Sequence, residues 1–129
     1  MSILHGFGSQ LLLGALATVQ LALASLVVGS LFGVIGCWLQ LRQNRLLRGA
    51  GYLYAALIRG IPDLLVVFAV YFGGSLTLAK LTGRYVEIDA FAAGVFALSL
   101  SFGAYAAEIA RGALLSVNAG QREAAWTLG

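Results

Sequence analysis

The stretch LLLGALATVQLALASLVVGSLFGVIGCWL, residues 11–39, contains no charged side chain and decides the fold class of this chain. A transmembrane helix needs about 20 apolar residues to cross the ~30 Å hydrocarbon core of a bilayer, so this stretch can cross it and tilt. A secretory signal peptide is the alternative, but its apolar part covers only about 7–15 residues and follows a positively charged start. The segment before residue 11 contains no Lys or Arg. We therefore predict a first membrane span at about residues 11–39.

The composition of the whole chain agrees with this prediction. Of its 129 residues, 60% are hydrophobic and 10% are charged, whereas a soluble domain carries roughly 25% charged residues. So few charges exclude a soluble single domain and a disordered chain, and a single cysteine excludes a disulfide scaffold. We predict an all-α integral membrane protein.

Two further apolar stretches predict a second span at about 55–79 and a third at about 90–115. Pro62 leaves two interpretations of the second span open. A helix that begins near Tyr54 would be kinked at the proline, or a new helix begins at the proline itself. Asp89 precedes the third span, and its carboxylate can cap the first free amides of that helix.

The basic residues predict the orientation of these spans. Lys80 and Arg84 lie between the second and third spans, and the other side carries six basic residues, which are Arg42, Arg45, Arg48, Arg59, Arg111 and Arg122. The positive-inside rule places the side richer in Lys and Arg in the cytoplasm. We therefore expect the N-terminus to lie outside. Topology explains the arginines, so we predict no nucleic-acid partner.

Small residues recur at every fourth position on two of the spans. They are Ser25, Gly29 and Gly33 on the first, and Ser99, Gly103 and Ala107 on the third. Small residues allow helix backbones to approach closely in a membrane. Because the chain contains 17 glycines, chance also produces such spacing, and both interpretations remain open.

The sequence does not support an enzyme. It contains one His and one Cys, without the spacing of ligands that would hold a metal ion, and it has no phosphate-binding loop of the Walker A type. We predict no catalytic residue, no metal site and no cofactor bound by this chain.

Two acidic residues near the ends of spans are more informative, because ionisable side chains in a membrane are costly and mark functional sites. Glu108 lies three residues before Arg111, so the two can form an ion pair on one helix face. The alternative is that Asp63 or Glu108 faces a polar cavity and meets a cationic solute.

Four short segments resemble one family of proteins. Residues 120–129, GQREAAWTLG, resemble the first half of the EAA motif of ABC importer membrane subunits. Residues 58–64, IRGIPDL, are similar to the IRG-x-P segment of the polar amino acid uptake permeases. Residues 71–73, YFG, and 103–112, GAYAAEIARG, match the same branch. The matches come in the order of that family, and the chain is most similar to its histidine/lysine/arginine/ornithine and opine permease subunits.

This resemblance implies a type I ABC importer permease fold, normally of five membrane helices, in the bacterial inner membrane. Residues 1–129 would be the N-terminal portion of one transmembrane domain that stops inside the EAA motif, which implies a fragment. The implied substrate is a polar, basic amino acid. The implied partners are a cytoplasmic ABC ATPase dimer that uses the ATP, a second permease subunit, an extracytoplasmic solute-binding protein and membrane lipid.

The resemblance also implies roles for individual residues. Residues 120–129 would begin the coupling helix, and the residues expected to contact the ATPase are Gly120, Glu123, Ala124, Ala125 and Gly129. The residues expected to shape the start of the second span are Arg59, Gly60 and Pro62. The candidate solute path consists of Asp63, Glu108 and Tyr105. Glu123 has a structural alternative as a capping acid three residues after Gly120.

A second class of function stays open beside the transport subunit. Three hydrophobic helices without a conduction path would form a non-transporting membrane fragment or a small membrane interaction protein. A defect in solute uptake after deletion of the gene would favour the transporter, and its absence would favour the alternative.

Overall fold

The long apolar stretch forms one unbroken helix, α1 (Leu4–Leu41), in the computed structural model, which describes residues 4–84 and 87–129. The large side chains of α1 point outward: Leu12 and Val34 are each 68% exposed. A soluble monomer rarely exposes such a continuous apolar surface. The outside of α1 therefore suits contact with lipid.

All the regular structure in the described residues is helical. After α1 follow α2 (Arg45–Gly60), α3 (Asp63–Phe68), a π-helical turn (Ala69–Gly73), α4 (Gly74–Thr82), α5 (Ala90–Ser116) and α6 (Ala119–Thr127). The helical segments that are long and apolar enough to cross a membrane are Phe7–Leu41, Asp63–Thr82 and Ala90–Ser116. The all-α membrane fold with three spans is confirmed.

The second span starts later than the predicted range of about 55–79, because residues 55–60 belong to α2. The chain is extended at Ile61, with φ −109° and ψ 135°, and at Pro62, with φ −55° and ψ 135°. Proline lacks an N–H, and its ring clashes with the carbonyl four residues earlier in a helix. The helix consequently breaks here, and of the two open interpretations the structure has the new helix, which begins at Asp63 with Pro62 as its N-cap.

Helices α1 and α5 pack side by side and run in the same direction. Ser25 of α1 accepts a hydrogen bond at its carbonyl from Ser99 Oγ at 3.3 Å, and further along α1 Gly36 lies beside Ala107. The residue numbers rise together on both helices, so the packing is parallel. The C-terminal ends of α1 and α5 therefore lie on the same side of the molecule.

The small residues form this contact. A Cβ atom added to Gly33 would lie 2.7 Å from Ala106 Cβ, and one added to Gly103 would lie 2.5 Å from Phe32 Cβ. Only glycine allows the two backbones to approach so closely. The interpretation of the small-residue pattern as a helix contact is confirmed.

Helix α2 crosses from α1 to α5. Gln40 Nε2 of α1 donates to the carbonyl of Gly51 at 3.2 Å, and Tyr54 Oη of α2 donates to the carbonyl of Leu100 in α5 at 2.7 Å. Burial raises the pKa of the Tyr54 phenol above its ordinary value, which favours the protonated hydroxyl that donates this bond. These two bonds hold α2 against both spans.

The two ends of α5 differ. At its start, Asp89 Oδ2 accepts a hydrogen bond from the amide of Ala92 at 2.8 Å, so the predicted cap is confirmed. At its end, Val117 is extended and leads into α6. Helix α6 is exposed, and its Trp126 is 87% exposed.

Candidate functional site

The polar residues of α5 lie on the face opposite the small residues. Ser101, Tyr105 and Glu108 are spaced by four and three positions, and residues with this spacing share one face of a helix. The residues that pack on α1, such as Gly103 and Ala107, occupy the other face. Helix α5 thus carries these polar residues on a face other than the one that packs on α1.

Glu108 forms ion pairs with two arginines. Its Oε2 lies 3.2 Å from Arg59 Nη1 and 3.4 Å from Arg111 Nη2. The guanidinium carbon of Arg59 lies 5.7 Å from the ring centroid of Tyr105, and that of Arg111 lies 5.4 Å from the ring centroid of Tyr52. The ion pair with Arg111 was predicted. The pair with Arg59 ties the C-terminal end of α2 to α5.

An open cavity of about 300 Å³ lies beside the middle of α1. It is lined by Ala22, Ser25, Leu26, Asp63, Leu98, Ser101, Phe102 and Tyr105. The structure therefore brings together two of the predicted solute-path residues, Asp63 and Tyr105. The third, Glu108, does not belong to this lining and lies with Arg59 instead.

Two serines that line the cavity have buried hydroxyl groups. Ser25 and Ser101 are each only 5% exposed, and within the described part of the chain their Oγ atoms have no hydrogen-bond partner. A buried hydroxyl without a partner is unfavourable, and both Oγ atoms are enclosed by protein rather than exposed to the cavity. Within the same described residues, no group of three or more His, Cys, Asp or Glu side chains could hold a metal ion.

The break at Pro62 determines how these residues meet. Gly60 ends α2, and Asp63 begins α3, so the two residues belong to different helices: Arg59 pairs with Glu108, whereas Asp63 lines the cavity. The serines were not predicted as site residues, although the spacing of Ser101, Tyr105 and Glu108 was a signal for them. No local pattern could have identified the pair between Arg59 and Glu108, because it depends on the direction of α2.

The predicted coupling residues lie at the end of the chain and away from the cavity. Gly120, Glu123, Ala124 and Ala125 belong to α6, while Gly129 follows that helix with a φ of +91°. All five are exposed. Their exposure leaves this segment accessible to another protein.

Comparison with known proteins identifies the family. The model of the family described as "Binding-protein-dependent transport system inner membrane component" matches residues 29–129. The arginine ABC transporter permease protein of Haemophilus influenzae is 41% identical over 123 residues, which are 95% of this chain and 55% of that protein. The nopaline transport system permease protein of Agrobacterium fabrum is 38% identical, with 96% of this chain and 55% of that protein covered.

Two further comparisons agree. The histidine/lysine/arginine/ornithine transport system permease protein of Salmonella typhimurium is 37% identical, with 98% of this chain and 57% of that protein covered. A crystal structure of an amino acid ABC transporter with histidines matches with a TM-score of 0.71 and 30% identity, covering 95% of this chain and 57% of that one. The chain spans about half the length of the relatives it matches. It belongs to the family of inner membrane components of binding-protein-dependent transport systems.

Proposed function

We propose that the chain acts as a permease subunit of an ATP-binding-cassette importer that moves polar, basic amino acids across the inner membrane. The observation that carries this proposal is the cavity beside the middle of α1, where Asp63 lies with Ser25 and Ser101. Ionisable residues within membrane spans generally mark solute pathways because placing them there is costly. The relatives named as permeases for arginine, for nopaline and for histidine, lysine, arginine and ornithine support this class of solute.

Of the two candidate carboxylates, Asp63 is better suited to a cationic solute. Glu108 already faces Arg59 and Arg111, so a further cation would meet little net negative charge there. Asp63 forms no ion pair with the Lys and Arg side chains that the structure describes. We therefore assign the attraction of a cationic group to Asp63.

Helix α6 is the proposed contact with the ATPase. It is exposed, and it follows α5 after Val117 and Asn118. Tyr105 lies about 17 Å along α5 from Ser116, where this helix ends, at 1.5 Å per residue. Because α5 is continuous from Tyr105 to Ser116 and only two residues separate it from α6, a movement of α6 would reach the cavity. ATP binding and hydrolysis by the partner would then bias the exchange between inward-open and outward-open states.

The remaining parts of the assembly follow from the same proposal. The N-terminus lies outside and α6 lies in the cytoplasm. A second permease subunit, identical or homologous, completes the wall of the path, and an extracytoplasmic binding protein delivers the solute. ATP is bound and hydrolysed by the ATPase dimer, while this chain binds no cofactor and acts as a transport subunit.

Uptake of labelled amino acids in the cell that encodes the chain tests the proposal. Deletion of the gene should lower the uptake of arginine or histidine, and re-expression should restore it. Asp63→Asn should reduce this uptake by about tenfold, the factor that corresponds to the loss of a charge contact of about 1.4 kcal/mol. Unchanged uptake after deletion would contradict the transport function and favour a membrane interaction protein.

The proposed coupling role needs its own variant. Glu123→Ala should lower uptake and weaken copurification of the ATPase, while the amount of protein in the membrane stays constant. Gln121→Ala is the matched control, since Gln121 lies in the same exposed helix outside the proposed contact set. Normal uptake and normal ATPase binding with Glu123→Ala would show that this residue has no part in coupling.

A further inference from the structure

Positive charge is concentrated where α1 ends and α2 begins. Arg42 follows α1, and Arg45 and Arg48 lie in the first turn of α2, all three with exposed side chains. Residues 1–62 contain no Asp or Glu. The ion pairs formed by the described residues all involve Glu108, so none of these three arginines has a carboxylate partner among them.

Trp38 indicates the depth of this charged end. The guanidinium carbon of Arg42 lies 3.8 Å from the ring centroid of Trp38, which is 52% exposed in the last turn of α1. Such a stacked pair is stabilised by a cation–π interaction. Tryptophan is enriched where hydrocarbon meets lipid headgroups, and the stack therefore places Arg42 at the level of the headgroups.

Helix α2 has the amphipathic character of a helix that lies along a membrane surface. Its apolar outer face consists of leucines that are 83%, 59% and 55% exposed, namely Leu46, Leu53 and Leu57. Arg45 and Arg48 lie on a different face, at positions i and i+3. The side opposite the leucines, with Gly51 and Ala55, is buried against the spans, and Arg48 extends this side toward the start of the helix because it precedes Ala55 by seven residues. Helices with separate basic and apolar faces lie at the interface, with the apolar face toward acyl chains.

We propose that this surface, made of Arg42, Arg45, Arg48 and the outer leucines of α2, binds an anionic phospholipid. The phosphate of the headgroup lies between the arginines, and an acyl chain runs past Trp38 and Leu46. Charge complementarity supports a phosphate group, because three guanidinium groups without carboxylate partners attract one anion strongly.

The apolar neighbours distinguish a lipid from a free phosphate ion. A free phosphate ion would bind the arginines and would make no favourable contact with Leu46, which is the most exposed leucine of α2. A phospholipid uses both groups, since its acyl chain covers the leucine while its headgroup meets the charges. The proposal therefore commits to the lipid.

Trp38 provides a direct measurement. The chain contains two tryptophans, so Trp126→Phe leaves Trp38 as the single fluorophore. The protein is reconstituted into phosphatidylcholine vesicles that contain equal mole fractions of either brominated phosphatidylglycerol or brominated phosphatidylcholine. We expect at least about fivefold enrichment of the anionic lipid beside Trp38, the factor that corresponds to one arginine near a membrane surface. Equal quenching by the two lipids would overturn the proposal.

Charge variants test the arginines themselves. Combined Arg42→Gln, Arg45→Gln and Arg48→Gln substitutions should abolish the enrichment, whereas the corresponding three Arg→Lys substitutions should retain most of it. Retention in the lysine variant also shows that three simultaneous changes leave the fold intact. The matched control is Lys80→Gln with Arg84→Gln, which removes exposed basic residues beyond the proposed site and should leave the enrichment unchanged. Loss of enrichment in this control would show a general charge effect and overturn the site.

Inorganic phosphate separates the two sources of the anion. Added to the vesicles with brominated phosphatidylglycerol, it should leave the quenching of Trp38 unchanged at constant ionic strength. Displacement of the lipid by phosphate at constant ionic strength would identify a site for the free ion and overturn the lipid assignment. None of these readouts depends on transport or on the orientation of the chain, so the proposal can fail while the proposed function holds.

Discussion

At the scale of single residues, Glu108 holds together parts of the chain that are distant in sequence. It receives Arg59 from the end of α2 and Arg111 from its own helix. The side chains are 40% exposed for Arg59 and 24% exposed for Glu108, so water in the isolated chain screens part of their attraction. Neither arginine is free to neutralise Asp63, and this leaves the cavity with an uncompensated carboxylate.

A double-mutant cycle measures the contact between Arg59 and Glu108. Arg59→Gln and Glu108→Gln should each lower the free energy of unfolding. Their coupling energy should be about 0.5–1 kcal/mol, as for partly exposed ion pairs. Unfolding by SDS in mixed micelles, followed by circular dichroism, gives the four stabilities.

The matched control is a second cycle in which Arg48 is substituted instead of Arg59. Arg48 is an exposed arginine of the same helix and forms no ion pair with Glu108. The Arg48→Gln and Glu108→Gln cycle should be additive, because distant sites rarely interact energetically. Equal coupling in the two cycles would show that general charge, rather than the contact at 3.2 Å, determines the effect.

At the scale of helices, the contact between α1 and α5 depends on the absence of side chains. A Cβ atom on Gly103 would lie 2.5 Å from Phe32 Cβ and 3.1 Å from the carbonyl oxygen of Gly29. Since the backbone of α1 cannot yield easily, Gly103→Ala should cost about 1–3 kcal/mol of stability. Gly112→Ala on the same helix is the control, because nothing lies within 4 Å of its added Cβ.

Thermal unfolding in detergent distinguishes the two glycine variants. Gly112→Ala should leave the stability unchanged or raise it by up to about 1 kcal/mol, since alanine favours a helix more than glycine does. If both variants had equal stability, the close approach of α1 and α5 at Gly103 would be contradicted.

The helices also show which parts of the fold a sequence can predict. The first and third spans were predictable because long uncharged stretches have no other stable environment than lipid. The small residues left a helix contact and chance as open interpretations, and only the structure pairs Gly33 with Ala106. Pro62 allowed both a kink and a break, and the choice depends on α2, which bonds to α1 and α5 through Gln40 and Tyr54. The position of Asp63 beside the middle of α1 follows from that break, and for this reason the cavity could not be predicted from local spacing.

At the scale of the whole molecule, the packing order constrains the topology. Because α1 and α5 are parallel, Leu41 and Ser116, which end these two helices, lie on one side of the membrane. The helix between them, Asp63–Thr82, must lead the chain back to the other side before α5 begins. The arginine-rich end of α2 and the exposed α6 therefore share one side, and the positive-inside rule predicts that this side is the cytoplasm.

Cysteine labelling tests both the packing and the orientation. Cys37 is the single cysteine and is buried, so Cys37→Ser provides a background for Arg45→Cys, Arg84→Cys and Gln121→Cys at exposed positions. A membrane-impermeant maleimide should label the variant at residue 84 in intact cells, and those at 45 and 121 only after permeabilisation.

The reverse pattern would overturn the orientation but preserve the packing, because residues 45 and 121 would still lie on the same side of the membrane. Labelling of 45 and 121 from opposite sides would contradict the parallel contact of α1 and α5. The path by which α6 is proposed to reach the cavity would then be lost as well.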